Sequence, residues 1–172
     1  NPGAGSTLDA NDELKALATL TKLDKLGFSL HFLTNVNVKD KGLQQFANLT
    51  QLRELRFTMT QVKGEGLAPF VNAEKLDLGY TPVTDSGLAS VTGMSKLRQL
   101  GLRDTFVSDE GLRHLAKLKT LEALDLYGLK ISDRGVFVRA QGVAGPVADV
   151  RFRRKNGLDP LALRRCDDVV AV

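Results

Sequence analysis

The chain has 172 residues, 42% of them apolar and 26% charged, a balance that suits a folded globular chain and is too apolar for a disordered one. No apolar run approaches the roughly 20 residues needed to cross a bilayer, and no basic stretch followed by an apolar one marks a secretory leader. The net charge is +4, with seven Arg/Lys against four Asp in residues 135–172 and a nearly neutral remainder, which argues against a uniformly basic, nucleic-acid-coating protein.

In chain order, residues 1–12, beginning Asn1-Pro2-Gly3-Ala4-Gly5-Ser6, read as a flexible leader. From Glu13, ELKALATLTKLDKLGF opens a leucine frame, followed by a longer connection that contains His31. The dipeptide Gly-Leu then recurs at Gly42-Leu43, Gly66-Leu67, Gly87-Leu88 and Gly111-Leu112, and Gly135-Val136 closes the series. The spacings are 24, 21, 24 and 24 residues. Self-similarity at such a period is the signature of a stacked repeat array. Residues 13–135 are therefore expected to hold about five repeats, one of them shortened to 21 residues.

Each repeat has two halves with different periods. In the unit starting at Gly111, Leu112, Leu115, Leu118 and Leu121 recur every three residues, placing one apolar stripe on a short helix. Leu124 and Leu126 then alternate with Asp125 and Tyr127, as in a short strand with one buried face. A turn follows, ending Val83-Thr84-Asp85, Val107-Ser108-Asp109 or Ile131-Ser132-Asp133, and these hydroxyl and Asp residues are expected to N-cap the next helix. The 21-residue unit lacks one L-x-x step: Leu67, Phe70 and Ala73 lead straight to Leu76 and Leu78, which predicts a shortened helix. After Gly135 the frame decays. Val147, Val150 and Phe152 can form a last strand, and residues 136–172 are read as a degenerate repeat and C-terminal cap. A lone repeat cannot balance its backbone entropy, so stability must come from stacking.

The resulting pattern, L-x-x-L-x-L-x-x-T-x-V-[ST]-D-x-G-L, resembles the leucine-rich-repeat family, in its 24-residue bacterial variety, and is similar also to the cysteine-containing type of F-box proteins. It departs at the ladder position, usually Asn or Cys, where Thr60, Thr81 and Thr105 stand, with Leu129 in the last clear unit. The resemblance implies an α/β fold: a right-handed horseshoe solenoid with a concave parallel β-sheet and short convex helices. The right hand also follows from the parallel crossover rule.

Candidates for chemistry are sparse. His114 falls on a predicted helix, His31 in a connection, and Cys166 near the end. A structural role is favoured for each. A single cysteine excludes an intrachain disulfide or a cysteine-cluster zinc site. No metal-binding His spacing occurs, and Val62-Lys63-Gly64-Glu65-Gly66 lacks the Gly-Lys-Ser/Thr ending of a phosphate loop. The recurrent Asp85, Asp109 and Asp133 suit helix capping better than a calcium site. No catalytic residue, metal or cofactor is expected.

Strand residues between the buried leucines belong to the concave face. Those singled out for partner binding are Arg56, Thr58, Asp77, Tyr80, Gln99, Arg103, Asp104, Asp125 and Tyr127, since Tyr and Arg dominate binding hot spots. The competing reading is a solvated surface of weak cross-strand ion pairs. Arg151, Arg153, Arg154 and Lys155 form a basic end that could meet an anionic surface, a reading ranked below an end cap because only Phe152 accompanies them as a stacking group. The expectation is a monomeric, non-catalytic module with a protein partner. A substrate receptor of a ubiquitin-ligase-like, F-box-type assembly is the alternative, and nucleic acid is disfavoured.

Overall fold

The computed structural model describes residues 18–27, 38–132 and 149–151. Its strands are short, three residues each: β1 (Lys25–Gly27), β2 (Glu54–Arg56), β3 (Lys75–Asp77), β4 (Gln99–Gly101), β5 (Ala123–Asp125) and β6 (Asp149–Arg151). They form one parallel sheet in sequential order. Its register aligns Leu26, Leu55, Leu76, Leu100, Leu124 and Val150. That is the leucine frame read from the sequence, and the strand expected around Val150 is present. Val147 and Phe152 lie outside the described residues.

The crossovers carry α1 (Asp40–Leu43), α2 (Asp85–Ala89) and α3 (Asp109–Leu115), the first two extended by 3-10 turns at Gln44–Phe46 and Ser90–Gly93. The 21-residue unit has in their place a single 3-10 turn, Glu65–Leu67. With one three-residue step missing, the chain returns to the sheet one step earlier. Sheet and helices form an α/β leucine-rich-repeat solenoid. Its interior is continuous: the strand leucines, the second row Phe57, Leu78, Leu102 and Leu126, and the helical Leu43, Leu67, Leu88 and Leu112 all belong to one buried cluster. Burying such side chains is worth roughly 1.5–3 kcal/mol each, gained only because each repeat covers the next.

Two further rows of bonds fasten the turns. The ladder threonines are buried, and their hydroxyls donate back to main-chain carbonyls: Thr60 to Phe57 (2.8 Å), Thr81 to Leu78 (2.6 Å) and Thr105 to Leu102 (2.9 Å). Thr thus satisfies a buried acceptor within its own repeat.

The aspartates correct the sequence reading. They occupy first-turn positions and cap the next repeat, not their own helix. Asp85 accepts from Ser108 N (2.7 Å) and Ser108 Oγ (2.6 Å), and Asp109 repeats this with Ser132 at 2.8 and 2.5 Å. Asp40 accepts from the amides of Lys63, Gly64 and Gly66 at 2.8–2.9 Å. Of the expected hydroxyl caps, Ser108 accepts from Glu110 N, whereas Thr84 makes no capping bond. Asp133 lies outside the described residues.

Where the frame would place the next aspartate the chain has Gly64, with φ +108°. Here backbones meet directly. A β-carbon on Gly64 would lie 2.7 Å from the carbonyl carbon of Gly87, and one on Gly87 would lie 2.9 Å from that of Lys63. Glycine is required at this seam by close approach.

Candidate functional site

The sheet face opposite the helices is an open trough of about 680 Å³, lined by all residues of β1 to β5. Its walls are charged pairs between neighbouring strands. Glu54 lies between Lys25 (3.1 Å) and Lys75 (3.5 Å), and Arg56 faces Asp77 (3.8 Å). The hydrogen bond from Lys25 holds the Glu54 carboxyl below its usual range, against a smaller opposing effect of desolvation. These pairs are exposed, so solvent screening leaves them little weight in stability. On the second outward row, Gly27 and Gly101 leave the floor without side chains. At Gly101 the cause is local, because a β-carbon there would lie 2.8 Å from Asp77 Oδ1.

Of the nine residues expected on this face, Arg56, Asp77, Gln99 and Asp125 line the trough. The other five, Thr58, Tyr80, Arg103, Asp104 and Tyr127, follow the three-residue strands and form a rim at their C-terminal ends. The structure thus corrects their assignment to strands. The parallel hydrogen bonding nevertheless continues through the turns, with Met59 N donating to Gly79 O (3.0 Å), Tyr80 N to Arg103 O (2.7 Å) and Asp104 N to Tyr127 O (2.8 Å).

Met59, Tyr80 and Asp104 adopt left-handed backbone, with φ of 58°, 59° and 49°; the equivalent position in the last unit is Gly128, at φ 76°. A residue other than Gly in this region costs roughly 1–2 kcal/mol. Three repeats carry that cost to keep a side chain where a glycine would fit.

Arg103 is the centre of the rim. Its guanidinium stands 4.7 Å from the centroid of the Tyr127 ring, within cation–π range. It also pairs with Asp125 at 3.3 Å. The neighbouring Tyr80 side chain, against the opposing effect of desolvation and with help from the charge of Asp125, raises its already high pKa. Tyr80, Arg103, Asp125 and Tyr127 therefore form one cluster across three repeats. The two aspartates are also structural: Asp77 Oδ1 accepts from Gly79 N (3.1 Å) and Asp125 Oδ1 from Tyr127 N (3.0 Å). Such a carboxylate fixes the turn two residues on.

One exposed group was missed by the sequence reading. Phe106 is 73% exposed, the most exposed large apolar residue described. The same position in the other repeats holds Gln61, Pro82 and Lys130, so an aromatic there was the available signal. His114 lies on α3, away from the trough. Arg151 belongs to β6, while Arg153, Arg154, Lys155, His31 and Cys166 lie outside the described residues. Among the described residues no group of three or more His, Cys, Asp or Glu could hold a metal ion, and no helix is long and apolar enough to cross a membrane.

No protein-family model matches the sequence, and no curated protein matches it. Solved structures do. An internalin (inlF) from Listeria monocytogenes is similar, with a TM-score of 0.64 and 20% identity over 82% of this chain and 38% of the internalin. Internalin C2 (inlC2) of the same organism gives 0.59 and 25% identity over 81% and 55%. The ectodomain of the Arabidopsis receptor kinase HAESA, solved in complex with an IDA peptide hormone, gives 0.51 and 18% identity over 81% and 23%. The chain thus spans 38% and 55% of the two internalin chains and less than a quarter of the receptor ectodomain. Register, continuous core and these likenesses together make the chain a leucine-rich-repeat solenoid.

Proposed function

We propose that this chain is a non-catalytic module that binds a protein partner across its concave sheet, with the Tyr80–Arg103–Asp125–Tyr127 cluster as its anchor. The observation that carries this reading is the cluster itself: two tyrosines and an arginine held together on the rim of an open trough. Their mutual contacts fix the side chains before binding, which lowers the entropy lost on association. Large, pre-ordered Tyr and Arg side chains are the types that dominate interface energy. The trough lining contributes no histidine or cysteine, and nothing in it pairs a nucleophile with a base. The HAESA ectodomain, which shares the fold, was solved with a bound peptide hormone, and that likeness supports a protein or peptide partner in general terms.

The test is a double substitution, Tyr80→Ala with Tyr127→Ala, assayed by calorimetry against a purified protein partner. Both residues are at least partly exposed, so folding should survive, as checked by circular dichroism. Affinity should fall at least tenfold. Unchanged affinity would move the binding site elsewhere.

A further inference from the structure

We infer that the array has one built-in weak joint, between β2 and β3, at which it opens into two blocks that each stay together. Two kinds of bond tie neighbouring repeats along the row of turns, and this joint lacks both for reasons of covalent chemistry. The first is the carboxylate in a crossover's first turn. Asp40 accepts from the amides of Lys63, Gly64 and Gly66, Asp85 accepts from Ser108, and Asp109 accepts from Ser132. The turn after β2 has Gly64 at this place, with no side-chain acceptor. The second is a main-chain bond to the carbonyl of a buried valine. Gln61 N donates to Val38 O (3.1 Å), and Phe106 N to Val83 O (2.9 Å). The donor that would reach Val62 O in the same way is residue 82, and Pro82 has no N–H.

The bonds that remain sort the repeats into two groups. Asp40 ties together the turns after β1 and β2, while Asp85 and Asp109 tie together those after β3, β4 and β5. Between the groups, Gly64 and Gly87 meet through bare backbone, which supplies dispersion but no charge-assisted bond. The crossover on one side of this contact is also the shortest, a single 3-10 turn where its neighbours carry helices. On the sheet side the joint resembles the others: Phe57 N donates to Asp77 O, Met59 N to Gly79 O and Lys75 N to Arg53 O. The ion pairs that cross it, Arg53–Glu74, Lys75–Glu54 and Arg56–Asp77, are largely exposed and screened by solvent.

In a stack, stability is a sum of repeat terms and nearest-neighbour terms, so the interface with the fewest bonds opens first. The joint runs beneath the trough. Lys25, Glu54 and Arg56 belong to the first block, and Tyr80, Arg103, Asp125 and Tyr127 to the second. Opening the joint therefore moves one end of the concave face against the cluster at the other end.

The experiment is native-state hydrogen exchange on the full 172-residue chain, followed by NMR in urea below the unfolding transition. Three sets of amides report. Phe57, Met59 and Lys75 bond across the joint; Glu54 and Gln61 bond to Asp24 O and Val38 O within the first block; Leu78, Tyr80 and Leu102 bond to Gly101, Arg103 and Asp125 within the second. The joint set should exchange at least as fast as the first-block set. It should exchange about tenfold faster than the second-block set, or more, the factor for one missing charge-assisted hydrogen bond. Glu54 and Gln61 exchanging faster than the joint set would mean fraying from one end, and a common rate for all sets would mean a single cooperative unit; either result overturns the joint. Pro82→Gln then supplies the N–H present at Gln61 and Phe106. Exchange of the joint set should slow about two- to tenfold relative to the second-block set, the weight of one neutral hydrogen bond. A proline that served only to restrict the unfolded chain would, on removal, speed exchange in all three sets alike. A ratio that stays the same or widens in Pro82→Gln overturns the assignment of the weakness to the missing turn-row bonds.

Discussion

Substituting Gly87→Ala tests the seam between repeats, and Gly93→Ala is its internal control. Both glycines lie in helical turns of the same repeat, so alanine should favour both by up to about 1 kcal/mol through helix propensity. At Gly93 the new methyl would sit 3.9 Å from Val71 Cγ1, an ordinary contact on an exposed residue. At Gly87 it would sit 2.9 Å from the carbonyl carbon of Lys63, and closer still to its oxygen. The oxygen, 1.8 Å from the new carbon, sets the limit: side-chain carbons do not approach within 3.0 Å, so the seam must open by at least ~1.2 Å (3.0 less 1.8). A gap of this order forfeits about half of the dispersion energy of the atoms lining it. Overpacking adds about 1–3 kcal/mol. The clash outweighs the propensity gain, so Gly87→Ala should destabilise by about 2 kcal/mol and Gly93→Ala should stabilise by a few tenths to 1 kcal/mol. Urea unfolding of both variants measures the difference. A stability for Gly87→Ala within 0.5 kcal/mol of the parent (roughly the additivity error of such measurements) would refute the stacking of Gly64 on Gly87.

Asp85→Ala removes the acceptor for both Ser108 N and Ser108 Oγ. It should cost about 1.5–3 kcal/mol, the range for a hydrogen bond to a charged group, and should lower hydrogen-exchange protection of the Ser108 amide. Asp85→Asn, which keeps one acceptor, should recover part of the loss; equal stability of the parent and the Ala variant would refute the inter-repeat link. Glu54 is held below its ordinary value of 4.5, chiefly by Lys25. A depressed carboxyl contributes its stabilisation in full above the unfolded-chain value and loses it as the pH falls through the folded value. Carboxyl NMR should therefore give a midpoint below 4.5 that moves up towards it in Lys25→Ala; an unchanged midpoint would reassign the cause.

Much of this architecture can be read one residue at a time. The Gly-Leu recurrence, the three-residue helical step and the two-residue strand step already identify Leu55, Leu76, Leu100 and Leu124 as one buried row, and the sheet register aligns them. Periodicity reports which side of a local element is apolar, and a repeat multiplies that signal. The missing L-x-x step was visible for the same reason, as a place where the chain skips the longer helical turn.

Contacts between repeats were not legible. Asp85 beside a helix start looks like a local cap, yet its partner is 23 residues away, because stacking places one repeat's first turn beneath the next repeat's Ser108. Strand length was also undecided: alternation continues from Leu124 to Tyr127, but the chain turns left-handed at the position of Gly128 and so lifts the last outward residues onto a rim. Phe106 occupies a variable position between Thr105 and Val107 that the repeat frame leaves unassigned, and it stands in solvent. Hydropathy patterns encode local faces, so the sequence alone defined the frame and the core. Which polar groups meet, and which apolar ones are left outside, depended on how neighbouring repeats stack in space.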